Sequence, residues 1–167
     1  MNATKRIQGS AACAARAPSL KAAGFTLVDL VVVVVIVAVM ISIAAPSFAA
    51  FIASQRASTA AMDLYAALTL ARSEATKRNA NVTLAPATGG WQNGWSVADP
   101  AISGRSVLEH GLLANATLTG PGEVVYQRSG RVRGTAPTFT LTVSTGESMA
   151  RRCVLTDLSG RPYIQSC

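Results

Sequence analysis

Lys21-Ala-Ala-Gly-Phe-Thr-Leu-Val-Asp-Leu30, followed at once by Val31-Val-Val-Val-Val-Ile-Val-Ala-Val-Met-Ile41, decides how this chain is read. A basic leader meets a glycine, and an apolar run then opens with one carboxylate, Asp29, in its first turns. Between Leu30 and Ile41 no side chain is polar, and Ser42 is the only polar residue before Pro46. Phe25 to Ala45 is 21 residues, about 31 Å as a helix, which matches a hydrocarbon core about 30 Å thick. A lone charge in hydrocarbon costs roughly 2.5–3.5 kcal/mol even on lenient scales, so Asp29 calls for a partner. A cleaved secretory signal, with Ala44-Ala45 or Ala49-Ala50 as its small-residue site, is the competing reading, and a generic single-span anchor is the bland one.

The leader carries Lys5, Arg6, Arg16 and Lys21 and no acid. Positive flanks stay cytoplasmic, which sends the rest of the chain outward. Of 15 basic and 8 acidic side chains in the chain, removing the leader's 4 bases leaves 11 against 8, or +3. The pI near 10 therefore overstates how basic the remainder is.

Gly24-Phe25-Thr26-Leu27-Val28-Asp29-Leu30 resembles the prepilin signature of type IV pilins and type II secretion pseudopilins. The resemblance implies cleavage after Gly24 by prepilin peptidase and methylation of the new N-terminal Phe25. It implies that Asp29 pairs with the N-terminal amine of a neighbouring subunit during assembly, and that Pro46 kinks the helix. The family's usual acid is glutamate; aspartate is one methylene shorter, and a weaker or altered docking contact is predicted. Either charge alone is costly among apolar helices, whereas the two together neutralise each other.

Phe48, Phe51 and Ile52 continue the apolar face beyond Pro46, and Ala61, Leu64, Tyr65, Leu68 and Ala71 recur at helical spacing. Arg72, Glu74, Lys77 and Arg78 precede a stop at Asn79. Past it, short β-type runs alternate with Gly, Pro and Asn: Asn81–Leu84, Gly94–Val97, Ser106–Leu108, Ala116–Leu118, Glu123–Gln127, Thr138–Val143, Arg152–Leu155 and Pro162–Gln165. In Thr138–Val143, Phe139, Leu141 and Val143 share one face. The expected fold class is α+β: a long kinked N-terminal helix, its first half transmembrane, packed on an antiparallel β-sheet or sandwich head. The expected segments are a leader at 1–24, a membrane or filament-core helix at 25–46, its amphipathic continuation at 47–79 and a β-rich head at 80–167. With about 120 residues outside the membrane, there is room for one core.

Ala71-Arg72-Ser73-Glu74-Ala75-Thr76-Lys77-Arg78-Asn79, Val82, Trp91, Gly94-Trp95 and Val125-Tyr-Gln-Arg-Ser-Gly-Arg131 narrow the likeness, with a cysteine-bearing final hairpin ending in Ser159-Gly160-Arg161. These are similar to the GspH/FimT group of minor pilins and pseudopilins. That similarity implies a low-copy, non-enzymatic subunit near a filament tip, held in the bacterial inner membrane with its head in the periplasm. Its implied partners are other pilins or pseudopilins, prepilin peptidase and an inner-membrane assembly platform.

Cys153 and Cys167 lie 14 apart. A disulfide between them would contribute roughly 3 kcal/mol and pin the tail; free thiols or a metal site are the alternatives. With one histidine, His110, and no Cys-x-x-Cys pair, zinc is disfavoured, and no cofactor is expected. His110, in Glu109-His110-Gly111, reads as an exposed turn, and Trp91 and Trp95 as core cover rather than a binding surface. No nucleophile elbow or phosphate loop is present.

Arg128, Arg131, Arg133, Arg151, Arg152 and Arg161 face only Glu147 and Asp157 over the C-terminal part. A solvated face is one reading and contact with phosphate or carboxylate the other. Some FimT-like minor pilins bind DNA through a Gly-Arg-x-Arg motif. Gly130-Arg131-Val132-Arg133 matches it early, and Gly160-Arg161-Pro162-Tyr163 matches it late with tyrosine in place of the second arginine. Arg151, Arg152 and Arg161 around the cysteine loop, with Tyr163 stacking on a base, make DNA a candidate partner.

Overall fold

The computed structural model describes residues 25–146 and 148–167, without the side chains of residues 45 and 46. The leader and its cleavage residue Gly24, the acid Glu147 and the kinking side chain of Pro46 lie outside the described residues. The chain divides after Ala38 into two compact units, residues 25–38 and Val39–Cys167.

A single helix, α1, spans Leu27–Lys77. Residues 27–38 are helical and exposed throughout, as a run of valines with no packing partner must be. From Ala53 onward the helix turns amphipathic, burying Ala53, Ala57, Ala60, Ala61, Leu64, Ala67, Leu68, Ala71 and Ala75. The three- and four-residue spacing puts them on one face, and alanine at most of them lets the helix lie close to the strands. One expectation fails here. Tyr65, though it follows Ala61 by four residues, is 39 % exposed, because it stands at the flank of the buried stripe. Phe48 and Phe51 are exposed like the apolar run before them, since the buried stripe starts only at Ala53.

α1 ends where Asn79 takes a left-handed φ of 50°. The Ala80 N–H reaches back to Ala75 O at 3.1 Å, closing a Schellman-type stop.

Eight strands follow: β1 Val82–Pro86, β2 Trp95–Ala98, β3 Ser106–His110, β4 Ala116–Thr119, β5 Val124–Tyr126, β6 Thr138–Thr145, β7 Ser148–Thr156 and β8 Pro162–Gln165. They form two antiparallel four-stranded sheets, ordered β3-β2-β1-β5 and β4-β6-β7-β8. β7 is the longest and starts four residues earlier than its apolar run, since pairing with β6 carries it through Met149, Ala150 and Arg151. Phe139, Leu141 and Val143 all point inward, as their alternation requires. They meet Val82, Leu84, Trp95, Tyr126 and the helix alanines in one core.

Candidate functional site: the helix-start carboxylate and the arginine-clasped turns

At the start of α1, Thr26 and Asp29 form a reciprocal capping box. Asp29 Oδ2 accepts from Thr26 N at 3.1 Å and from Thr26 Oγ1 at 2.7 Å, and Asp29 N donates to Thr26 Oγ1 at 3.3 Å. The carboxylate thus satisfies the Thr26 N–H and the Thr26 hydroxyl satisfies the Asp29 N–H, two donors that have no partner one turn back. Phe25, immediately before, is fully exposed.

The arginines sort differently from their order in sequence. Two hairpin turns share the pattern x-x-Ser-Gly-Arg: Gln127-Arg128-Ser129-Gly130-Arg131 and Asp157-Leu158-Ser159-Gly160-Arg161. Their backbones match bond for bond. Gln127 N donates to Arg131 O and Gly130 N to Gln127 O, both 2.8 Å; Asp157 N donates to Arg161 O at 3.1 Å and Gly160 N to Asp157 O at 3.0 Å. Gly130 and Gly160 have φ of 77° and 84°, the left-handed region only glycine enters freely. The two turns, one from each sheet, touch at these glycines: a Cβ on Gly160 would overlap the Gly130 carbonyl oxygen.

Arg72 of α1 lies across both. Its Nε donates to Gly130 O at 3.1 Å and its Nη2 to Ser159 O at 3.2 Å. The planar guanidinium fork suits two carbonyls at once. Arg131 and Arg161, at equivalent positions of touching turns, are both exposed.

Arg151 and Arg152 sit instead along β7, opposite Thr142 and Leu141. Arg152 Nη2 donates to Ser54 on the helix at 3.3 Å, and Arg151 is exposed. Arg133 N donates to Val125 O, which makes residues 131–133 a short border along β5. Tyr163 is exposed on β8.

Cys153 and Cys167 are joined, tying the tail to β7. Trp91 and Trp95 are core residues. Trp91 packs edge-on to Phe139 at 4.8 Å and donates to Pro121 O, and Trp95 is fully buried. His110 is not in an exposed turn. It ends β3, stacked on Trp95 at 4.0 Å with Nε2 3.4 Å from Asp63, because pairing with Trp95 extends β3 past Leu108. Among the described residues, no three His, Cys, Asp or Glu side chains are grouped to hold a metal ion.

The sequence left two roles unread. In sequence Arg72 reads as a helix-end charge, and the signal for its inward role is the repeated Ser-Gly-Arg tripeptide. Glu74 is 7 % exposed. It pairs with Arg78, which also reaches Asp99 at 2.8 Å and so ties the helix end to the β2–β3 loop.

Two groups by the clasp titrate away from their ordinary values. Burial pushes the Tyr126 hydroxyl from near 10 up to about 12, opposed by Thr156 and the Arg72 charge. The Tyr126 and Thr156 hydroxyls are both buried without a hydrogen-bond partner, so burial dominates. The Ser159 hydroxyl, at 2.6 Å, and the Arg161 N–H, at 2.8 Å, hold the Asp157 carboxyl below its usual range.

The family model described as type II transport protein GspH matches residues 60–160, which is 101 of 167 residues. The chain belongs to the GspH family. Its fold is that of type IV pilin-like minor pilins and pseudopilins. The type IV minor pilin FimU of Pseudomonas aeruginosa superposes in two crystal forms. One has a TM-score of 0.57 at 21 % identity over 66 % of this GspH-family chain and 89 % of FimU; the other gives 0.54 at 22 %, over 65 % and 91 %. The minor pseudopilin EpsH of the Vibrio cholerae type 2 secretion system superposes with a TM-score of 0.52 at 15 % identity, over 66 % of this chain and 97 % of EpsH. No curated protein matches significantly. The family match takes in α1 from Ala60, Arg72, the first Ser-Gly-Arg turn and the second as far as Gly160, so the three clasping groups, Arg72, Gly130 and Ser159, are inside the shared region and Arg161 is just beyond it.

Gly160→Ala is expected to lower unfolding stability by about 2–4 kcal/mol, combining backbone strain with overlap. Gly134→Ala, with a similar φ of 80° and open space around it, should cost about 1 kcal/mol. Urea unfolding of both checks the turn contact. A raised folded-state value for Tyr126 means the native state keeps its proton where the unfolded chain has lost it. Stability should therefore be intact below pH 10 and decline as pH rises toward 12; Tyr126→Phe should flatten that limb in denaturation curves taken across the window.

Proposed function

We propose that this chain is a minor pilin or pseudopilin, a low-copy structural subunit built at or near the tip of a type IV pilus or type II secretion pseudopilus. The observation that carries it is an apolar helical stretch, Leu27–Ile43, exposed along its whole length and bearing one acid, Asp29, in its first turn. Such a surface requires lipid or other apolar helices around it, and a filament core supplies the second after the first. On this reading the leader stays cytoplasmic and the head is periplasmic. Prepilin peptidase cuts after Gly24, Phe25 is methylated, and an inner-membrane platform receives the subunit. Pro46, which removes one helix hydrogen bond, is the bending point. Asp29 meets the Phe25 amine of the preceding pilin.

Asp29→Ala should leave the head folded, with its Cys153–Cys167 bond formed, and cut incorporation into sheared filaments at least tenfold by immunoblot. Undiminished incorporation would sink the assigned role.

A second reading, a pilus-tip subunit that binds DNA for natural transformation, is favoured by one feature. The touching turns hold Arg131 and Arg161 in exposed, equivalent positions, a two-point contact for a phosphate backbone. Arg151 on β7 and Tyr163 on β8 would extend the contact along the second sheet. In this case the full chain in detergent should retain DNA at low salt, lose it steeply as salt rises, and lose it with Arg131→Ala/Arg161→Ala together. Equal retention by that double variant would refute it.

A further inference from the structure

Two four-stranded sheets have four edges, and an exposed edge invites pairing unless it is blocked. Three are blocked here. β5 is bordered by residues 131–133, with Arg133 N bonded to Val125 O. β4 has the one-turn helix Trp91–Asn93 packed against it, and Leu113 just before it donates to Gln92 O. β3 ends in Glu109 and His110 with Arg105 before it, charges that discourage pairing. β8 has no bordering segment among the described residues. Arg161 before it and the ring of Pro162 guard its first residue, but Tyr163-Ile-Gln165 carries no charge and leaves Ile164 open.

The backbone direction of β8 follows from its neighbours. Thr156 N donates to Pro137 O, on the β6 side, whereas Asp157 N donates to Arg161 O. Alternation along antiparallel strands then turns Leu155 and Cys153 toward Tyr163 and Gln165, their register partners. The N–H and C=O of Ile164 point away from the sheet. Beside them runs a groove of ≈600 Å³, walled by Met62 and Tyr65 of α1 and by Tyr163 and Ile164. Met62 is 61 % exposed, Tyr163 44 % and Ile164 37 %. At one end lies Arg161, which has no ion-pair partner among the described residues. The adjoining Asp157 carboxylate is already taken by Ser159 and the Arg161 N–H.

We infer that β8 is a docking edge, on which an extended segment of another pilin-type subunit adds as a fifth strand of the sheet β4-β6-β7-β8. Its alternate apolar side chains cover Met62, Tyr65 and Ile164, and an acidic residue at one end pairs with Arg161. Free backbone groups at Ile164 select a strand over a helix, which has no outward N–H to offer. The Asp157 carboxylate at the groove selects against a phosphate backbone. The Cys153–Cys167 bond keeps β8 in register while it is loaded. The inference rests on the subunit reading above and names the contact that its head makes.

The test uses the full chain in cells that assemble the filament, with a photo-cross-linking residue in place of Gln165 or, as control on the blocked edge of the same sheet, Thr119. Cross-links from position 165 to another pilin-type subunit should exceed those from 119 at least tenfold and map to an extended segment containing Asp or Glu. Ile164→Lys and Met62→Asp should each reduce them at least tenfold with the disulfide still formed. Equal yields from the two positions, a cross-linked peptide from an apolar helix, or adducts to nucleic acid would each overturn it. If the chain enters filaments with no cross-link at 165, strand addition fails and the subunit reading survives; if the unaltered chain enters no filament, both fail.

Discussion

One guanidinium ties the helix to both sheets at once. Arg72 sits on the helix and bonds carbonyls 58 and 87 residues further along the chain, one in a turn of each sheet. Elsewhere the helix meets the head through an apolar stripe that is mostly alanine and through single polar links, Ser54–Arg152, Asp63–His110 and Arg78–Asp99. Hydrogen bonds from a charged donor contribute more than neutral ones, and two of them from a rigid fork fix orientation as well as distance. The glycines beneath are the geometric counterpart. A Cβ on Gly160 would overlap the Gly130 carbonyl oxygen and one on Gly130 would crowd Thr76 and Arg72, so both positions are left bare where the turns and the guanidinium meet.

The same clasp explains why the arginines divide. The two whose turns touch are brought together by backbone geometry, whereas Arg151 and Arg152 follow the alternation of β7, one outward and one toward the helix. Charge density in sequence is therefore a poor guide to charge density in space. Spacing along a strand separates residues by about 3.3 Å each, and a turn can cancel that separation at a stroke.

Much of the architecture could be read before any coordinates. Each of the eight β-type runs became a strand because β-branched and aromatic residues between glycines and prolines leave little else for them to do. Asn79 ended the helix because asparagine tolerates the left-handed stop. Sheet order could not be read. β5 pairs with β1 across some forty residues, a choice made by burial of Val82, Val124 and Tyr126 rather than by local preference. Tyr65 misled for a related reason: helical spacing marks a face, and only tertiary contact decides which neighbouring face is covered. Of the site, Asp29 stood out as a lone acid at the head of an apolar run, whereas its bonds to Thr26 appear only in the structure. The inward use of Arg72 was not, because an arginine near a helix end is ordinarily solvated.

The capping box at the helix start has one more consequence. Asp29 already accepts two hydrogen bonds from Thr26 and closes a third with its own N–H. Both accepted bonds fall on Oδ2, which leaves Oδ1 without a hydrogen-bond partner among the described residues. A cation arriving there would share the carboxylate with the cap rather than unfasten it, so the first turn of the helix need not fray for Asp29 to be engaged.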